Sequence, residues 1–212
     1  MTEKKQGKKV KKKKKVIGIT GGTGCGKTMV MKILKERFNA GLIIADLIGH
    51  ELMAPGGSNY KDIVKAFGED ILDETGNINR PRLSKIVFSD KDKLEMLNQI
   101  SHPNIEKAVV ARLEEMQKDE NISFIALEAA LLIECGYMKY LDELWYVYAD
   151  EETRIRRLME GRGYSEEKSR SVMKNQLKKE EYLLHSDRVI DNSGSEEDTY
   201  ENIRASLEEK PL

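Results

Sequence analysis

The sequence predicts an α/β protein: a five-stranded parallel β-sheet covered by helices on both faces. Five short runs of apolar, β-branched or aromatic residues recur along the chain, helical patterns lie between them, and the runs are continuous rather than alternating. Strands that read this way are buried on both faces, as in a parallel sheet reached by helical crossovers.

Taken in order, Val16–Thr20 is a short β-branched run that ends at once in glycines, a buried strand entering a tight loop. From Lys27 the period changes: Val30, Ile33, Leu34 and Phe38 fall at helical spacing, and the stretch 39–41 closes the helix. Residues 42–45 read as a second strand with Asp46 at its end. Residues 47–121 hold no convincing strand and read as a helical insertion. Its helices are expected at Tyr60–Phe67, at 82–88 and at Lys91–Lys118, with turns at Pro55-Gly56-Gly57 and Thr75-Gly76. Pro103 lacks a backbone N–H and clashes with the preceding turn, so a kink or break is expected at Ser101-His102. Residues 123–128 and 143–149 are the third and fourth strands, the latter carrying the aromatic run LWYVY. Residues 151–160 are helical. Residues 161–176, charged and poor in apolar side chains, suit a mobile surface element. A fifth strand at 187–191 and a helix at 196–209 close the chain.

The chain has 212 residues, enough for one domain with an insertion, at 39% apolar and 34% charged composition. The longest apolar run, near residues 122–133, is interrupted by Glu128, so no membrane insertion is expected. The basic start is not followed by an apolar stretch long enough for a secretory leader. Two cysteines, Cys25 and Cys135, make no disulfide pattern and suit a reducing cytoplasm. The net charge of −1 hides an asymmetry: residues 1–15 hold nine lysines against one glutamate, a net +8, which leaves −9 for the rest. This start reads as a disordered, self-repelling tail, with weak adhesion to nucleic acid or anionic lipid as its functional alternative.

The chemistry is carried by Gly21-Gly22-Thr23-Gly24-Cys25-Gly26-Lys27-Thr28, which fits Gly-x4-Gly-Lys-Ser/Thr between a strand and a helix. A polyphosphate needs several N–H donors close together. Glycines permit the required backbone angles and leave no Cβ in the way. The helix beginning at Lys27, with Met29 in its first turn, aims its N-terminal dipole at the same anion. Lys27 is placed to reach the β and γ phosphates, and the Thr28 hydroxyl to bind Mg²⁺. The pattern predicts a P-loop NTPase fold that binds ATP. Cys25 reads either as filling a variable position or as a thiol acidified by the helix N-terminus.

A GTPase would carry Asn-Lys-x-Asp, which does not occur. Asp46 falls where sheet topology sets a carboxylate beside the phosphate loop, able to take a proton from an acceptor hydroxyl; a helix N-cap is its other reading. Glu128, ending the third strand, reads as a Mg²⁺ ligand or as a structural ion-pair partner. Arg154, Arg156, Arg157 and Arg162 lie close together in a segment, 152–178, that reads as a lid. Arg157 and Arg162 are its candidates for stabilising a transferring phosphoryl group.

With these pieces in place the chain resembles the dephospho-coenzyme A kinase family from Val16 to Leu207. GITGGTGCGKT matches that family's phosphate loop, and ADLIGHELM, with Asp46 and His50, the segment after strand two. Asn79-Arg80 with Leu83 and Val87-Phe88, the pair His102-Pro103, Leu131-Leu132-Ile133-Glu134, the lid residues Arg157, Arg162 and Gln176, and Val189 to Gly194 follow in order. The resemblance implies that ATP phosphorylates the ribose 3′-hydroxyl of dephospho-CoA. It implies Asp46 as base, and acceptor binding by the insertion through Asp46, His50, Arg80 and His102. It sets Asn192 and Gly194 near adenine. His102 reads otherwise as a buried, hydrogen-bonded helix breaker and His50 as a surface residue. Two positions depart from the family: Ile44, where many members have a first Asp, and Ala130, where many have Pro. The same residues also allow a related kinase of another metabolite, or a nucleotide-binding regulator without turnover. A monomer is expected.

Overall fold

The computed structural model describes residues 13–129, 132–133 and 136–209. Residues 1–12 of the lysine tail, with Ala130, Leu131, Glu134 and Cys135, lie outside the described residues. Five parallel strands, β1 (Val16–Thr20), β2 (Gly41–Ile44), β3 (Ile125–Glu128), β4 (Glu143–Tyr148) and β5 (Arg188–Asp191), form one sheet in the order β2-β3-β1-β4-β5. This is the α/β architecture expected from the apolar runs.

The strand side chains alternate between two cores. Ile17, Ile19, Ala126, Trp145, Val147 and Ile190 pack on one face with α1 (Lys27–Phe38) and α9 (Glu196–Glu208). Val16, Ile43, Ile125, Leu127 and Leu144 pack on the other with α2 (Ala45–Leu52) and α5 (Lys91–Lys118). Two covered faces explain why the strands read as unbroken apolar runs: period 2 is present, but both faces need apolar residues. A third core, formed by Ile63, Ile71, Ile78, Leu83 and Val87, belongs to the helices of the 47–121 stretch, α3 (Tyr60–Phe67), α4 (Arg80–Phe88) and the first half of α5.

Three local expectations are corrected. Asp46 neither ends β2 nor caps a helix: α2 begins at Ala45 directly after β2, its N-cap is Ile44, and Asp46 sits in its first turn. α5 runs unbroken through Pro103. Gln99, whose carbonyl Pro103 cannot bond, is exposed to water, and Asn104 Nδ2 reaches Ile100 O at 3.4 Å in the same turn. The stretch 161–176, expected to be a mobile surface element, contains a helix, α7 (Glu166–Lys174), which also pairs with α6 (Glu151–Arg162) through Arg170 and Glu151. Ser165 caps it through Lys168 N–H, acidic residues fill its first turn, and Arg170 pairs with Glu166 at 2.8 Å. A further helix, α8 (Lys179–His185), follows α6 and α7. The lysine tail, expected to run free through residue 15, is already anchored at Lys14 and Lys15. Lys14 N–H bonds Gln117 Oε1 at 2.8 Å, and Lys15 pairs with the buried Glu143 at 2.5 Å.

Ile17 is fully buried in β1 between β3 and β4. Ile17→Ala should lower unfolding stability by about 2–5 kcal/mol, read as a lower denaturation midpoint at constant slope.

Candidate active site

Parallel strands deliver their C-terminal ends to one edge, and there the loops from β1, β2 and β3 converge. The Gly-rich loop leaves β1 with Gly21 (φ 147°), Gly24 (φ 81°) and Gly26 (φ 89°) in backbone conformations that side chains rarely adopt. Gly26 is also the N-cap of α1, and a Cβ there would collide with Asn192 Nδ2. Lys27 Nζ donates to Gly21 O at 2.8 Å and stands 3.9 Å from Glu128 Oε1.

A cleft of about 580 Å³ opens over this loop. It is lined by Gly22, Thr23, Gly24, Gly26, Lys27 and Thr28, by Ile44 and Glu128 from the neighbouring strand ends, by Asp46 from the first turn of α2, and by Arg157 and Arg162 from α6. A second cleft of about 400 Å³ is lined by Asp46, His50, Arg80 and His102, with apolar contributions from Met53, Ile105 and Tyr137. The two clefts share Asp46. All four residues assigned to the acceptor from the sequence therefore come together, although they derive from α2, α4 and α5. His102 is exposed, against its alternative as a buried helix breaker, and His50 is half-buried beside the same cleft.

Electrostatics follow the same geometry. Burial raises the Glu128 carboxyl above its ordinary value, opposed by Lys27 and reinforced by the charge of Asp46. Burial and the Arg80 guanidinium lower His50, with Asp46 acting against them. Asp46 is thus felt on both sides. Cys25 is buried, and that burial raises its thiol despite Lys27 and Arg154. It packs into the core as a neutral side chain, which removes the acidified-thiol reading.

Three residues expected near the nucleotide, Asn192, Gly194 and Met29, do not line the cleft over the loop. Asn192 is 1% exposed; its Nδ2 donates to Cys25 O at 2.7 Å and its Oδ1 accepts from Thr199 Oγ1 at 2.7 Å. Its amide holds the loop in shape from the buried side. Gly194 lies against Asp198 at the start of α9, where Ser195 and Asp198 form a capping box. Met29 packs against the core. Among the four clustered arginines the helical period decides: Arg154, Arg157 and Leu158 turn toward the loop, whereas Arg156 lies with Glu152 and Glu160 on another face. Sequence reading gave Arg154 no separate role, yet its Nε donates to Thr23 O at 2.9 Å. The apolar lining residues Met53, Ile105 and Tyr137 had no chemical signature by which to be singled out.

A family model described as dephospho-CoA kinase matches residues 15–198. The chain belongs to the dephospho-CoA kinase family. A dephospho-CoA kinase from Aquifex aeolicus is 42% identical over 92% of this chain and 97% of its own, and one from Carboxydothermus hydrogenoformans is 38% identical over 91% and 93%. The solved dephospho-CoA kinase from Campylobacter jejuni superposes with a TM-score of 0.67 at 25% identity, covering 91% of this chain and 94% of its own. Membership makes the chain an ATP-dependent kinase of the P-loop type and accounts for the strand order. No described helix is long and apolar enough to cross a membrane.

Glu128 is partly desolvated by the fold, so its ionised form opposes stability. With the folded-state value raised, that penalty is absent at pH well below 4.5 and develops as pH rises through the carboxyl range. Glu128→Gln should therefore unfold at higher temperature than the parent protein at pH 7. The gap should close on acidification below about pH 4, as read by paired thermal melts across pH.

Proposed function

We propose that this chain transfers the γ-phosphoryl group of ATP to the ribose 3′-hydroxyl of dephospho-CoA, releasing CoA and ADP, the final step of CoA synthesis. One observation carries the reading beyond family membership: a single carboxylate, Asp46, borders both the phosphate-loop cleft and the cleft of His50, Arg80 and His102. A phosphoryl transfer needs its acceptor hydroxyl in line with the donor, and Asp46 stands where the two compartments meet.

In this reading the triphosphate occupies the loop, bound by backbone N–H groups and the N-terminus of α1. Lys27 exchanges the Gly21 carbonyl for phosphate oxygens. Arg157 and Arg162 supply positive charge from the lid side, and charge aimed at the developing oxyanions is the largest lever available to a kinase. Asp46 orients the acceptor hydroxyl and takes its proton as the oxygen attacks. His50, Arg80 and His102 hold the acceptor in the insertion, which spans 47–121, and the lid comprises 152–178. Mg²⁺ fits the hard oxygen donors of Thr28 and Glu128 that line the same cleft. Among the described residues no group of three His, Cys, Asp or Glu side chains forms a metal cage, which suits an ion held largely by phosphate and water. Bound there, the ion would neutralise phosphate charge during transfer. The reading also keeps the cytoplasmic location and monomeric state expected from the sequence.

Purified protein assayed by coupled ADP release should turn over dephospho-CoA and not nucleoside monophosphates; the reverse profile would sink the assignment. Asp46→Asn should depress kcat strongly while ATP affinity stays near that of the parent, and near-normal turnover would remove Asp46 from the base role. Lys27→Ala should lower kcat by roughly 10²-fold or more.

A further inference from the structure

The first half of the phosphate loop is almost bare of side chains. Gly21, Gly22 and Gly24 offer nothing to grip, and glycine loses the most conformational freedom when fixed. Thr23 is the exception, and its polar atoms are engaged from outside the loop. Its N–H donates to Gln176 Oε1 at 2.9 Å. Its hydroxyl oxygen accepts from Gln176 Nε2 at 2.7 Å, and its carbonyl accepts from Arg154 Nε at 2.9 Å. Arg154 Nη2 closes the ring by donating to the same Gln176 Oε1 at 2.9 Å. The carboxamide suits this position because it presents an acceptor and a donor at once, and the guanidinium because its fork spans two acceptors.

We infer that Arg154 and Gln176 are positioning residues of the donor site, forming a clamp on Thr23 that sets the glycine-rich half of the phosphate loop for triphosphate. Arg154 does not line the cleft, unlike Arg157 and Arg162, so it acts through Thr23 rather than on phosphate. Gln176 follows the C-terminal end of α7, so the clamp also ties the lid helices to the loop. The second half of the loop is held separately by Asn192 and by α1. A Cβ on Gly22 would collide with Arg154 Nη2, so the clamp sits flush on the backbone. Without it, the cost of ordering three glycines falls on ATP binding. The acceptor cleft, lined by other elements, is untouched.

The inference rests on the donor cleft binding ATP as proposed above. Two full-length variants test it: Gln176→Leu, which keeps the volume and loses all three Gln176 hydrogen bonds, and Arg154→Met, which keeps the stem and loses the fork. ATP affinity is read by calorimetry without acceptor, KM for ATP and for dephospho-CoA by steady state, and folding by thermal melts of the nucleotide-free protein. Each variant should weaken ATP binding and raise its KM about tenfold, with KM for dephospho-CoA within about twofold of the parent. The double variant should be no worse than the worse single one, because the two side chains act as one unit. Parent-like ATP affinity in either folded variant would overturn the clamp. So would a lowered melting temperature with unchanged KM for ATP, the mark of a purely structural role. Should one variant fail to fold, the other decides. Parent turnover of dephospho-CoA tests the activity itself, so the two conclusions can fail separately.

Discussion

The parallel register of β3 between β1 and β2 is the constraint on which the site depends. Glu128 lies opposite Ile19 on one side and Ile44 on the other. That pairing brings the phosphate loop, the Glu128 carboxylate and the first turn of α2 to one edge of the sheet, within reach of one another. A slip of one residue would turn Glu128 onto the opposite face and take Lys27 away from its partner. The register is protected because both faces of β3 are buried: Ile125 and Leu127 point into one core and Ala126 into the other. Packing of apolar side chains thus fixes the position of charged ones.

A glycine-rich loop held at this edge faces an entropic problem, and the fold answers it with contacts to backbone atoms. Lys27 caps Gly21 O, Asn192 caps Cys25 O, and Arg154 with Gln176 takes the main chain of Thr23. These contacts come from α1, from the end of β5 and from the α6–α7 region. The cradle is therefore shaped before nucleotide arrives, and less ordering falls on the binding step. Lys27 differs from the other braces. Its amine can leave the Gly21 carbonyl for a phosphate oxygen, whereas Asn192 is sealed at 1% exposure.

The strands and the phosphate loop were legible because their signals are strong and local: buried β-branched runs, and glycines whose spacing is dictated by anion binding. The rest depended on contacts that sequence spacing does not encode. Asn192 looked like a ligand-facing residue until its amide was found between Cys25 and Thr199, positions 167 and 7 residues away. α7 has too few apolar residues to announce itself and is held by its cap and charges. Pro103 was read by its local penalty alone, while exposure of Gln99 lets a long, packed helix absorb it. Asp46 and His50 share a face of α2 at i, i+4, a spacing that was readable; the approach of Arg80 and His102 to that face requires the insertion to fold.

Ile44 bears on how the proton is handled. Many family members have an acid at this position, two residues before the one at 46. A third carboxylate beside Glu128 and Asp46 would couple three titrations in a cleft that must also accept a triphosphate, and like charges raise one another's proton affinity. Here the wall at position 44 is apolar. Glu128 is partly desolvated and stands near Lys27, whereas Asp46 is exposed and borders the acceptor cleft. The two carboxylates are therefore already different in environment. In the proposed reading, the one that borders both clefts is the one that takes the proton of the acceptor hydroxyl. With isoleucine at position 44, the proposed base role falls on Asp46 alone, with no neighbouring acid at 44 to compete for the proton.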